Sequence, residues 1–466
     1  MRAVVLQVGL IATWLGCGVA ARADSLGDAL ASAYMSNPQL EARRAQGRAV
    51  DEGVPQALSN WRPTVSFSTY GGRARYQANS GGPPRHVRNP RDWTLTLSQP
   101  LYRGGRTVAA TKKAEESILA EREQLRGIEQ TVLKDAATAY VDVLRDQAVL
   151  ELNIKNEQVL QRQLEAAQDR FRVGEITRTD VAQAEARLAK AKADRIQGEG
   201  TLESTRAAYV KTVGAPPQNL ESPKTLTGLP QSLEEAISLA RAHNPTVRSA
   251  DRTALAAIHN VDLVRGELLP TVSLDLTREK TWRTSAYNSF SDTASAFVKV
   301  SVPLYAQGSV YSRLREAKHT AGQRRLEVDD SLRKAVELAS KSWEGVQTAA
   351  ARIKSYESQI AAAEIALDGV IQETQAGSRT VLDVLNAQQE LVDARVSLAR
   401  ARRDEIVAEF DLLASVGRMN AAGLGLAVKP YDPEEHAKDV RNIWFGGSDS
   451  ADADALKAGD VDDWKE

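Results

Sequence analysis

The sequence predicts a mainly α-helical chain with a small amphipathic β part, written as two copies of one unit. Three observations predict it. First, landmarks recur in the same order in both halves. SLGDALASAYMSNPQL at Ser25 matches SLEEAISLARAHNPTV at Ser232, and RPTVSFS at Arg62 matches LPTVSLD at Leu269, both shifted by 207 residues. QPLYRGG at Gln99 matches VPLYAQG at Val302, and AYVKTVG ending at Gly214 matches DLLASVG ending at Gly417, both shifted by 203. Ordered self-similarity of this kind means a duplicated structural unit. Second, proline is absent from 101–215 and from 304–429, where Leu, Ala, Glu, Gln and Arg dominate, so long helices are expected. Third, each half carries two short runs of alternating polar and apolar residues, the signature of a half-buried strand. The expected organisation is a signal peptide at 1–23, a first repeat at 24–220, a linker at 221–230, a second repeat at 231–420 and a tail at 421–466.

The elements follow in order. Arg2, an apolar run over 3–19 and the A-x-A site Ala21-Arg22-Ala23 read as an export signal. Cys17 is the only cysteine and lies inside that signal, behind Trp14-Leu15-Gly16, a poor lipidation context, so the exported chain is expected to hold together without disulfides. A single amphipathic helix is expected from Leu26 to about Leu58, capped by Ser25. Two strands come next, with Val65 and Phe67, then Trp93, Leu95 and Leu97, on the apolar face. The second copy repeats them with Val272, Leu274 and Leu276, then Val298 and Val300 against Lys299 and Ser301. Trp93, Trp282, Tyr70, Tyr76 and Tyr287 are candidates for interfacial aromatic girdles.

Apolar residues then recur at coiled-coil spacing: Leu133, Ala137, Tyr140 and Leu144, and in copy two Val384, Ala387, Leu391, Ala394 and Leu398. A helix over 104–172 would be about 100 Å long at about 1.5 Å per residue. Both long helices stop at the same skeleton, G-x-x-T-x-x-D-V, beginning at Gly174 and at Gly377. The glycine predicts a left-handed helix end, and Thr177 with Asp180, or Thr380 with Asp383, predicts a capping box on the returning helix. The twin motifs are therefore the expected tips of two helical hairpins.

The composition excludes several functions. Lys and Arg number 60 against 61 Asp and Glu, so no nucleic-acid footprint exists. The five histidines are scattered, no metal-ligand spacing or G-x-S-x-G occurs, and no catalytic residue, metal or cofactor is expected. Beyond the signal, no apolar run approaches the roughly 18 residues of a spanning helix. A membrane route would have to use strands, and closed barrels are the only stranded spans. Four strands are too few for the smallest barrels of about eight. Two copies would give eight strands and three would give twelve, the latter with room for water. A soluble periplasmic adaptor, which also uses long helical hairpins, is the alternative from another class.

With these residues in view, the chain resembles the TolC family of outer-membrane channel-tunnels over about 25–420. The repeated NP helix, the P-TVS strand, the PLY strand exit and GSRTVLDVLNA at Gly377 carry the resemblance. It implies a homotrimer: a 12-strand β-barrel set in outer-membrane lipid, continued by a 12-helix α-barrel across the periplasm. It also implies a periplasmic gate. Arg379 falls on the family's latch arginine, which ties to the pair matching Thr179 and Asp180, and Asp383 falls on the first lumen-facing aspartate. Two departures stand out: the second aspartate is Asn386, and the latch tyrosine is Thr374. The tips, with Gly174, Thr177, Gly377 and Thr380, would dock a periplasmic adaptor (membrane fusion) protein. YDPEEHAKDVRNIWFGG at Tyr431 resembles tails of the type I secretion branch. That branch implies an inner-membrane ABC transporter and a secreted polypeptide as cargo. A multidrug-efflux outlet is the alternative within the family.

Overall fold

The computed structural model describes residues 25–446 apart from 78–85, 224, 225 and 227. The expected signal peptide and the acidic end of the tail lie outside those residues.

The chain opens with α1 (Leu26–Ser36), α2 (Pro38–Asp51) and α3 (Gly53–Leu58), not the single expected helix. The break follows from Asn37-Pro38. Pro38 has no amide proton to continue α1, and the Asn37 side chain instead accepts from the Gln39 amide at 2.9 Å, starting α2 afresh. The same Asn37 donates through Nδ2 to the Thr212 carbonyl at 3.2 Å, so the break is docked on the end of a distant helix. The second repeat does likewise: Asn244 caps at Thr246 (2.9 Å) and donates to the Ser415 carbonyl (3.0 Å). The NP landmark is thus a helix break tied to the far end of its own repeat.

The strands are β1 (Thr64–Gly71), β2 (Ala74–Tyr76), β3 (His86–Arg88) and β4 (Arg91–Arg103). Then come α4 (Arg106–Arg172), α5 (Arg178–Val213), α6 (Leu233–His243), α7 (Pro245–Arg265), β5 (Thr271–Trp282), β6 (Phe290–Ser301), α8 (Ser309–Gln375), α9 (Val381–Ser415) and α10 (Pro433–Val440). α4 and α8 have 67 residues each, hence about 100 Å of rise. α5 lies along α4 and α9 along α8, while α7 bridges α4 and α8. The main core forms where α1, α4, α5 and α9 converge, around Leu133, Tyr140, Tyr209 and Phe410. Met419, Leu424, Leu426 and Tyr431 pack onto it, so the start of the tail is part of the body.

The sheet runs β1-β4-β5-β6, antiparallel throughout, so the two repeats are zipped together through β4 and β5. Register sorts the side chains. Val65, Leu97, Leu276 and Ala296 share one row, and Ser66, Thr96, Thr277 and Ser295 share the adjacent one on the other face. Trp93 and Trp282 stand on the apolar face. Tyr70 does not: it pairs with Asp92 on the polar face, because it is an odd number of residues from Phe67. Tyr76 and Tyr287 leave the main sheet and stack under Arg88 and Arg283 at 4.6 and 5.3 Å. The 12 residues of β5, tilted by about 40°, rise about 30 Å, which matches a hydrocarbon layer. Within the chain β1 and β6 each pair along one edge only.

Candidate functional site

The two hairpin tips are built alike. α4 ends in a Schellman turn, with Gly174 N donating to the Phe171 carbonyl at 3.0 Å and Glu175 N to the Arg170 carbonyl at 2.9 Å. α8 ends the same way, with Gly377 N on Thr374 at 3.1 Å and Ser378 N on Glu373 at 3.0 Å. Both glycines have φ of +81°, a conformation that costs a side-chain-bearing residue about 1 kcal/mol or more. After each turn a capping box opens the returning helix. The Thr177 amide donates to Asp180 Oδ2 at 3.0 Å, and the Asp180 amide returns to Thr177 Oγ1 at 3.3 Å. Thr380 and Asp383 reproduce both distances. These bonds hold the Asp383 carboxyl below its ordinary range: the Thr380 backbone bond is the largest cause, then the Thr380 hydroxyl, with the Arg379 charge adding to them.

The tips differ in what they expose. The first presents Phe171 and Val173, the latter 72% exposed, whereas the second has a buried Thr374 and an exposed Ala376 at the matching positions. Thr179 and Arg379 are exposed. Within the chain Arg379 reaches back to Glu373 at 2.9 Å, and the structure does not bring it to Thr179 or Asp180 of the same chain. Thr374 is buried and donates to the Val370 carbonyl of its own helix at 2.7 Å, so its hydroxyl is engaged within α8.

Two residues that sequence reasoning missed join the hairpins. Arg187 on α5 donates to Asn386 Oδ1 on α9 at 2.7 Å. One residue earlier, Leu385 is 1% exposed, packed with Leu160, Leu164, Ala184 and Leu188 of the first hairpin. Asp383 lies one turn before Asn386 on the same helix. The returning helix of repeat two is therefore seated on repeat one directly behind the candidate gate carboxylate. Higher up, a second tie crosses the hairpins. Arg403 Nε bonds Asp142 at 2.7 Å, and Arg145 spans Asp142 and Asp146 at 2.8 and 2.7 Å. The Asp146 bond is the main cause that raises the Arg145 pKa further. The i, i+3, i+4 spacing of Asp142, Arg145 and Asp146 was the available signal for this network.

Nothing at the tips resembles a reaction centre. Thr177, Asp180, Thr380 and Asp383 are engaged in the caps, and Arg170, Arg172 and Arg379 in ion pairs within their own turns. Among the described residues no group of three or more His, Cys, Asp or Glu is placed to hold a metal.

Comparison with known proteins is consistent with a duplicated channel. The family described as Outer membrane efflux protein matches twice, at residues 29–215 and 236–418. The chain is similar to the outer membrane efflux protein BepC of Brucella suis biovar 1 (strain 1330), at 38% identity over 95% of each chain. It is similar to the proteases secretion protein PrtF of Dickeya chrysanthemi, at 29% identity over 86% of this chain and 90% of that one. Its fold matches the Campylobacter jejuni CmeC outer membrane channel with a TM-score of 0.77 at 15% identity, over 90% and 89% of the two chains.

Proposed function

The chain belongs to the outer membrane efflux protein family, and from that premise we propose that it is the outer-membrane channel of a type I secretion system. It is an outer-membrane channel with a large periplasmic helical part; the cargo and the partners are the proposal. Three copies would pool four strands each into a 12-strand barrel, and four long helical segments each into the tunnel. The observation that carries this reading is the sheet with two one-sided edges, set on helices of 67 residues whose tips repeat one geometry. Shared edges require other copies, because an unpaired backbone row cannot stand in lipid.

The mechanism is passive. Asp383 carboxylates from three copies crowd the narrow end, where like charges repel and attract cations. An adaptor docking on Phe171 and Val173 would draw the hairpins apart, and an inner-membrane ABC transporter would feed an unfolded polypeptide into the wet path. Energy comes from the transporter, and the channel catalyses no reaction.

Two observations favour protein cargo. Similarity to PrtF extends over most of both chains, and the segment from Tyr431 is the part that resembles secretion tails. That segment is docked: the Tyr431 amide donates to Tyr34 Oη at 2.9 Å, and Arg44 stacks on both rings. Similarity to BepC favours the second reading, an efflux outlet. A soluble adaptor does not fit an outer-membrane family. Deleting the gene and comparing the polypeptides in the medium tests the choice. Loss of one or a few secreted polypeptides is expected. An unchanged medium with heightened sensitivity to drugs and detergents would replace this reading with efflux.

A further inference from the structure

At the loop end of the sheet, the apolar face changes character. Successive rows read Leu97, Leu276 and Ala296; then Leu95, Arg278 and Ala294; then Trp93, Lys280 and Asp292; then Arg91, Trp282 and Phe290. Three cations and one acid stand among aromatics, all with the parity of the lipid-facing leucines. Asp292 is shared: Arg278 Nη2 lies 3.3 Å and Lys280 Nζ 3.0 Å from the same Oδ2. Lys280 also lies 5.7 Å from the Trp93 ring centroid, and Trp282 packs on Phe290 at 5.8 Å. Arg91 is exposed and makes no ion pair among the described residues. One carboxylate cannot neutralise three cations. Charge on a lipid-facing wall is costly at the membrane centre and tolerable only at headgroup depth.

The direction of the strands fixes which leaflet this is. The other end of the sheet runs into α4 and α8, the periplasmic body, so the basic rim lies at the outer surface. We propose that Arg91, Arg278 and Lys280 form a binding site for the phosphate of an outer-leaflet lipid headgroup, with Trp93, Trp282 and Phe290 against its acyl chains. The site rests on the barrel placement in the reading above and not on the identity of the cargo. Two guanidiniums and an ammonium around an uncompensated face suit a phosphate dianion, since Arg forks bind phosphate through paired N–H bonds. The parity excludes the lumen as the source of the ligand: Glu279 and Thr281, one residue away, face the other side.

The test uses the full-length trimer, purified in detergent and stripped of lipid, with lipid A as the probe in native mass spectrometry. Wild type is expected to retain lipid A, and to lose most of that retention with a dephosphorylated lipid A of the same acyl chains. Arg91→Gln with Arg278→Gln and Lys280→Gln should weaken retention about tenfold or more, as expected for losing charge-assisted bonds. Glu279→Gln, on the opposite face, should leave it unchanged. If the triple variant does not assemble, Arg91→Gln alone decides, because it breaks no ion pair among the described residues, and it should weaken retention about threefold. Equal retention by the variants or equal retention of the dephosphorylated lipid would each overturn the proposal. A trimer that binds lipid A while no secreted polypeptide depends on it would overturn the secretion reading and leave this site standing.

Discussion

Replacing Leu385 with alanine should loosen the tip without unfolding the body. The side chain is 1% exposed and lies between hairpins, so its methyl groups hold α9 against α4 and α5. Leu→Ala in a packed interior costs about 2.7–5 kcal/mol, the larger values where the cavity cannot collapse. Here two hairpins can close part of the gap, so about 2.5 kcal/mol is the working value. Divided by RT, that is roughly a 70-fold shift toward the separated state. Hydrogen exchange on the detergent-solubilised trimer reads it directly. Amides over 383–391 should exchange up to about 70-fold faster, while those over 132–143, in the core around Tyr140, keep their protection. The single-channel conductance should rise in parallel. Unchanged exchange over 383–391 would refute the seating role of Leu385, and equal acceleration in both segments would mean that the loss is global rather than local.

Further outcomes are expected at the tips and at one packed glycine. Asp383→Ala should weaken divalent-cation block in planar bilayers, and block that stays the same would leave Asp383 as a cap alone. The pH course carries a sign: a depressed carboxyl keeps its charge, and its capping contribution, above the ordinary value of 3.8 and loses both as pH falls through its lower folded value. Wild-type block should therefore outlast pH 3.8, and block fading above it would show that repulsion within the ring outweighs the cap. Asn386→Asp, beside Arg187, should deepen cation block; no change would place position 386 away from the lumen. Arg379→Ser should raise closed-state conductance if Arg379 ties neighbouring tips, and an unaltered trace removes it from the latch. Gly417→Ala should lower thermal stability by on the order of 1–3 kcal/mol from its φ of +77°, with a further clash because the new Cβ would run into the His243 carbonyl. An unshifted melting midpoint would contradict that contact.

Legibility in the sequence followed the range of the interaction. Capping boxes and Schellman ends act within six residues, and Gly174, Thr177 and Asp180 announced theirs. The strand faces were legible because parity is a local property; Tyr70 was misjudged only where aromatic character was weighed above parity. The Asn37-Pro38 break was written plainly, but the amphipathic pattern carries on across it, since α1 and α2 both pack on α4. Leu385 and Arg187 were not legible as a site. The heptad read from the sequence runs through Val384, whereas the structure buries Leu385, one residue on, and nothing local says that its neighbours belong to the other repeat. Arg187 looks like any solvated helix charge until docking brings Asn386 within reach. The basic rim was hidden for a similar reason: Arg91, Arg278 and Lys280 come onto successive rows of one face only through the pairing of β4 with β5.

The sheet's two margins are not alike: β1 offers eight residues and β6 offers twelve. In the three-copy ring proposed above, rotation makes each copy join its neighbours by unlike sides, β1 against β6, as links in a bracelet do, and never by one side meeting itself. A molecule spoiled on β1 alone still hooks onto a growing ring through β6, and then leaves a gap that no further copy can bridge. Such a variant would poison assemblies that contain normal subunits, so a harmful allele would be dominant even at modest expression.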